Sequence, residues 1–123
     1  MKYIHKYNDS NTFSTEERCN INELFNISDD EECSIAKASV EIGISTQLHA
    51  VKNTVERYVI IDGEGEVEIN HQEPVKVNAL DVVTIPAGQS QKITNTGTKT
   101  LVFLCICTPQ FKQENYINLE QDN

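Results

Sequence analysis

Between Ser34 and Cys107 the chain is cut into short stretches rich in β-branched residues, each ended by glycine, proline or asparagine. Residues 35–42, 46–51, 56–61, 66–70, 75–77, 81–85, 91–95 and 101–107 read as strands. In the fourth, Val67 and Ile69 alternate with Glu66, Glu68 and Asn70, the pattern of a sheet with one face buried. Asp62-Gly63-Glu64-Gly65, Pro86-Ala87-Gly88 and Asn95-Thr96-Gly97 are turns, as is the Asn70 to Pro74 stretch. No helix follows Gly63-Glu64-Gly65, so a hairpin turn accounts for it better than a phosphate loop does. Many short strands at even spacing predict an all-β chain closed into a small barrel or jelly roll.

A chain of 123 residues predicts one domain. Its organisation reads as strands and loop packing on the barrel over 1–33, the barrel itself over 34–108, and a polar tail over 109–123. Within the first part, a short edge strand is expected near 2–6 and a strand over 19–26, with a helical turn as the alternative there; Ser28 to Glu32 is a solvated loop. The tail either forms one helical turn or lies along the barrel. A net charge of −9 argues against nucleic acid or an anionic membrane surface as partner, since both require excess Lys and Arg. The first residues carry no continuous apolar run, so neither signal peptide nor anchor is expected, and the cytoplasm is the default compartment. There Cys19, Cys33, Cys105 and Cys107 are free thiols. Cys105 and Cys107 share a strand face on a backbone too extended for them to bridge. Which face points inward is open, because both faces of that strand are apolar. His5 and His71 read as solvated.

The stretch from Gly43 to Gly63 concentrates the chemistry. Period two puts Gln47, His49 and Val51 on one face of its first strand, and Glu56, Tyr58 and Ile60 on one face of its second. If both faces look inward, an imidazole and a carboxylate meet in an apolar interior, where such groups need a partner or a use. The spacing from Gly43 through His49 and Glu56 to Gly63 resembles the first motif of the cupin family. Leu80 to Asn95 resembles the second, with Pro86, Gly88 and Asn95 in place and Leu80 where a glycine is usual. The resemblance implies a cupin double-stranded β-helix, a jelly-roll barrel.

It also implies a site. Metal-binding cupins hold a divalent ion with two histidines and a glutamate of the first motif and a histidine of the second. Position by position, this chain keeps His49 and Glu56, has Val51 for the second histidine, and has Gln91 for that of the second motif. His49, Glu56 and Gln91 are therefore the candidate ligands for zinc, iron, manganese or nickel, with Gln91 the weak donor. Two other readings stay open: a hydrogen-bonded polar cluster, or a metal-free site in which His49 and Glu56 act as acid and base. Gln47, Tyr58 and Gln91 are the polar candidates for holding a substrate. The expected function is a small-molecule isomerase, lyase or oxygenase acting on a sugar-like or carbonyl compound, with a non-catalytic metabolite-binding or sensing module as the alternative. A homodimer is expected, because outer-face residues such as Val59 and Ile61 need cover.

Overall fold

A computed structural model describes residues 2–120. Two antiparallel sheets face one another. The first, in the order β1-β2-β3-β10-β5-β8, is built from β1 (Phe13–Ser14), β2 (Asn20–Phe25), β3 (Ser34–Val40), β10 (Leu101–Thr108), β5 (Val55–Asp62) and β8 (Val82–Ile85). The second runs β11-β4-β9-β6-β7, from β11 (Tyr116–Asn118), β4 (His49–Val51), β9 (Gln91–Asn95), β6 (Glu64–Ile69) and β7 (Val75–Asn78). This is the all-β jelly roll that the strand pattern and the cupin resemblance predict.

Alternation places the side chains. Along β5, Glu56, Tyr58 and Ile60 are buried while Arg57 and Val59 are only partly covered. Along β9, Gln91, Ile93 and Asn95 point inward. Antiparallel pairing then sorts the interior by chemistry. β10 sets Cys107 opposite Glu56 and Phe103 opposite Ile60, and β4 sets His49 opposite Gln91. One end is consequently packed with Val40, Ile60, Ile93 and Leu101, each essentially without exposure, while Ile85 lies beside Glu56. The other end holds the polar side chains. Burial of an aliphatic side chain stabilises by roughly 1.5–3 kcal/mol, so the apolar end carries the stability and leaves the polar end for other purposes.

The motif glycines and Asn95 tie the two sheets. Gly43 takes φ +77° and donates its N–H to the Asn95 carbonyl. The Asn95 amide donates to the carbonyls of Val40 and Lys99, and its side-chain oxygen accepts from Gly97 N–H. Gly88, at φ +80°, donates to the Val51 carbonyl and so sets the approach to β9 beside β4. Leu80, standing where a glycine is usual, takes the glycine's conformation at φ +75°.

Several expectations are corrected. Residues 2–6 form no strand; His5 is half-buried, edge-on to the Phe25 ring, rather than solvated. The first strand is β1, too short to show a period. The strand predicted over 46–51 is reduced to His49–Val51, because the Thr46 hydroxyl accepts from Ile93 N–H and the Gln47 N–H is given to a loop. The tail does both of the things proposed for it: a 3-10 turn at Gln113–Asn115 leads into β11, which pairs with β4 along the barrel.

Candidate functional site

Glu56 is 8% exposed. Its Oε2 accepts a long contact from the Cys107 thiol at 3.8 Å, and its Oε1 is buried with no hydrogen-bond partner. Burial pushes this carboxyl above the ordinary carboxylate range, against the opposing pull of the Gln91 amide and the thiols of Cys107 and Cys105. Burial thus favours the neutral form of Glu56 over the carboxylate. Burial likewise drives the Cys107 and Cys105 thiols up, with the Glu56 charge adding to it, so both remain protonated. The inward face of β10, undecided by alternation, is the one carrying the two cysteines.

Tyr58 donates its hydroxyl to Gln91 Oε1 in a short hydrogen bond across the barrel, and its ring packs on Phe103 at 4.7 Å. Gln91 is 1% exposed and lies opposite His49 in the strand register. Two of the residues proposed for substrate binding are therefore partners of one another.

His49 is 4% exposed. Its Nδ1 lies 2.7 Å from the Gln47 carbonyl; a carbonyl only accepts, so Nδ1 carries the hydrogen and Nε2 is left to take up a proton. The carboxylate facing that Nε2, at 3.7 Å, is Glu17, a loop residue between β1 and β2. No hydrogen bond or ion pair joins His49 to Glu56 among the described residues. Glu17 stands between them in charge. Burial raises its carboxyl, His49 lowers it, and Glu56 raises it further. The ring of Tyr116 stacks on His49 at 4.9 Å, and its hydroxyl donates to Gln47 Oε1 at 2.6 Å.

Glu17 and Tyr116 were outside the sequence reading. Glu17 reaches the site because its carbonyl accepts the Gln47 N–H and because Arg18, at φ +68°, turns the chain there. The Arg18 guanidinium then grips the carboxylate of Glu120, which also accepts from Leu48 N–H, so loop, tail and β4 are held together beside His49. Nothing in the local pattern at Thr15 to Cys19 marks a site residue.

A cavity of about 130 Å³ opens at the polar end. Glu56, Cys105 and Cys107 line its inner part; Phe13, Ile21 and Phe111 are among its apolar walls, and Glu23 stands at its rim. His49, Gln91 and Glu17 are not among its lining residues. Gln91 lies opposite His49 and its amide is within reach of Glu56, but the three side chains are engaged elsewhere. His49 Nε2 faces Glu17, the Gln91 oxygen is taken by Tyr58, and Glu56 faces thiols. Among the described residues no three His, Cys, Asp or Glu side chains form a ligand set. These donors do not fit the divalent ion that the resemblance implies.

Residues 38–107 match the family model described as the cupin domain. An uncharacterized protein of Methanocaldococcus jannaschii is 33% identical over 87 residues, which cover 71% of this chain and 69% of that protein. Among solved structures, Pac13 of Streptomyces, described as a nucleoside dehydratase, superposes with a TM-score of 0.80 at 18% identity, covering 100% of this chain and 95% of its own. A Thermotoga maritima protein described as a predicted oxalate decarboxylase gives a TM-score of 0.71 at 27% identity, over 80% of this chain and 90% of its own.

Proposed function

Because the chain belongs to the cupin domain family, we propose that its barrel binds a small oxygen-bearing molecule and acts on it by proton transfer, with Glu56 as the acid. The observation carrying this reading is Glu56, whose Oε1 is buried without a hydrogen-bond partner and which is one of the residues lining the cavity. Leaving a buried polar atom unsatisfied costs about 1–3 kcal/mol, and such a cost is typical of groups kept for binding or chemistry. In the neutral form that burial favours, Glu56 gives a hydrogen bond, and then its proton, to an oxygen of the guest. The Glu17–His49 pair lies outside the cavity lining, so the proton acceptor in this reading is water or a group of the guest itself.

A reaction of this kind removes a proton from carbon next to a carbonyl and returns one to an oxygen. That is lyase or isomerase chemistry on a carbonyl or sugar-like compound. The nucleoside dehydratase described for Pac13 is a reaction of that class, although the likeness to it is one of fold. Cupins commonly use a metal, but the donors here give it no seat. Treatment with a chelator is therefore expected to leave both thermal stability and ligand response unchanged, as measured by thermal shift before and after EDTA.

A second reading, a non-catalytic binding or sensing module, draws on the absence of His49 and Glu17 from the cavity lining. The two separate by NMR. Small ketones and hydroxyketones incubated with the protein in D2O are expected to exchange hydrogens next to the carbonyl, and Glu56→Gln to slow that exchange about a hundredfold. Saturable binding with no exchange above the buffer rate would favour the sensor and sink the enzyme.

A further inference from the structure

The cavity wall carries information about charge that the motif positions do not. Apart from Glu23 and Glu56, every residue lining it is uncharged, and none is Lys, Arg or His. Both charges that an entering molecule can meet are therefore acidic, in a chain whose net charge is −9. From this wall, with the Glu56 carboxyl and the Cys105 and Cys107 thiols among its lining, we infer that the site takes a small uncharged molecule with one hydrogen-bond-accepting oxygen and rejects carboxylates. The inference rests on the reading of this cavity as the ligand site.

Size and electrostatics agree. A dry cavity of roughly 150 Å³ accommodates benzene, so 130 Å³ suits a ligand of about that bulk. A nucleoside or hexose would have to leave most of itself outside the mouth. Phe13, Ile21 and Phe111 offer apolar surface to a short hydrocarbon portion. The Glu56 carboxyl and the Cys105 and Cys107 thiols offer hydrogens to a carbonyl, amide or hydroxyl oxygen. An anion entering the same space loses its hydration, finds no cation to replace it, and sits against Glu56 with Glu23 at the rim. On this basis the oxalate named for the Thermotoga maritima structure, a dianion, is the wrong kind of ligand for this chain.

The test uses three probes of matched bulk on the wild-type chain at neutral pH: isobutyramide, isobutyrate and isopentylamine. Backbone amide shifts of Ala36, Cys105 and Cys107, which line the cavity, are followed by NMR titration. Isobutyramide is expected to shift them saturably, and isobutyrate to bind about tenfold more weakly or worse, as an anion losing its hydration with no cation in the wall requires. Ala36→Phe, which fills the cavity, is expected to abolish the isobutyramide response. Glu56→Gln keeps a hydrogen-bond donor and is expected to retain affinity within about threefold. Isobutyrate binding as tightly as isobutyramide, or isopentylamine binding more tightly with release of a proton to the buffer, would overturn the charge selectivity while leaving the cavity as the ligand site. If no probe moves these resonances, or if Ala36→Phe leaves the response intact, the reading of the cavity itself falls, and the selectivity with it.

Discussion

At Glu56 two demands conflict, because the acid role proposed for it calls for burial, where the charged form is costly. The raised value makes this visible in stability. Between the ordinary 4.5 and the higher folded value, the unfolded chain has released the proton and the folded chain still holds it. The native state then binds more protons, so stability falls as pH rises through that window and is greatest, for this group, below 4.5. Glu17 acts in the same direction. Glu56→Gln removes the titration. It is expected to be about 1–2 kcal/mol more stable than wild type at neutral pH, with the difference vanishing below the ordinary carboxylate value, as read from melting temperature against pH. Lys99 on Asp62 and Arg18 on Glu120 lower those carboxyls and have the opposite sign, but these pairs are exposed and contribute little. Leu80 presents a simpler case. It is 78% exposed at φ +75°, a conformation costing an L-residue about 1–2 kcal/mol. Leu80→Gly relieves that cost and loses about 0.5–1 kcal/mol to the freedom of the unfolded chain, so a net gain of some tenths to about 1 kcal/mol is expected in urea unfolding.

At the scale of the element, closeness of strands matters more than turn geometry. A Cβ on Gly65 in β6 would lie 2.5 Å from the Thr94 carbonyl oxygen of β9 and 3.0 Å from Leu101 Cδ2. The oxygen belongs to a paired strand and cannot retreat without breaking the ladder. A Cβ on Gly88 meets nothing within 4 Å, and only its φ of +80° is unfavourable. Gly65→Ala is therefore expected to cost about 3 kcal/mol and Gly88→Ala about 1 kcal/mol, the ratio being checked by chemical denaturation of both. β11 shows what a short element contributes beyond its own bonds. Its pairing with β4 brings Tyr116 over His49 and closes the hydrogen bond to Gln47, so three residues of the tail complete the surroundings of the imidazole.

At the scale of the molecule, the apolar surface gathers where the two sheets end. β7 and β8 are edge strands, and Val75 and Val82, each 61% exposed, flank a groove between them, with Leu80 nearby in sequence. Ile61, expected to need cover, is 44% exposed. Unpaired apolar edges invite a second chain, so the homodimer expected from the sequence would find its seat here. Sedimentation equilibrium is expected to show dimer at micromolar concentration, and Val82→Lys to shift it to monomer; a wild-type chain that stays monomeric as concentration rises would count against the pair.

The strands, the inward face of β5, the burial of His49 and Glu56, and the jelly-roll class were legible in the residues themselves. Alternation is a local property repeated along each strand, and turns announce themselves through Gly, Pro and Asn. The short β1, the shortened β4 and the coil before Asp9 were less legible, because stretches of two or three residues carry no period. What each buried polar group faces was decided only when the sheets closed. Glu17 meets His49 from a loop 32 positions away, Tyr58 takes the oxygen of Gln91, and Tyr116 arrives from the tail. A single side chain's partner depends on long-range register and on where a loop is tied down, and neither leaves a mark in the spacing of its neighbours.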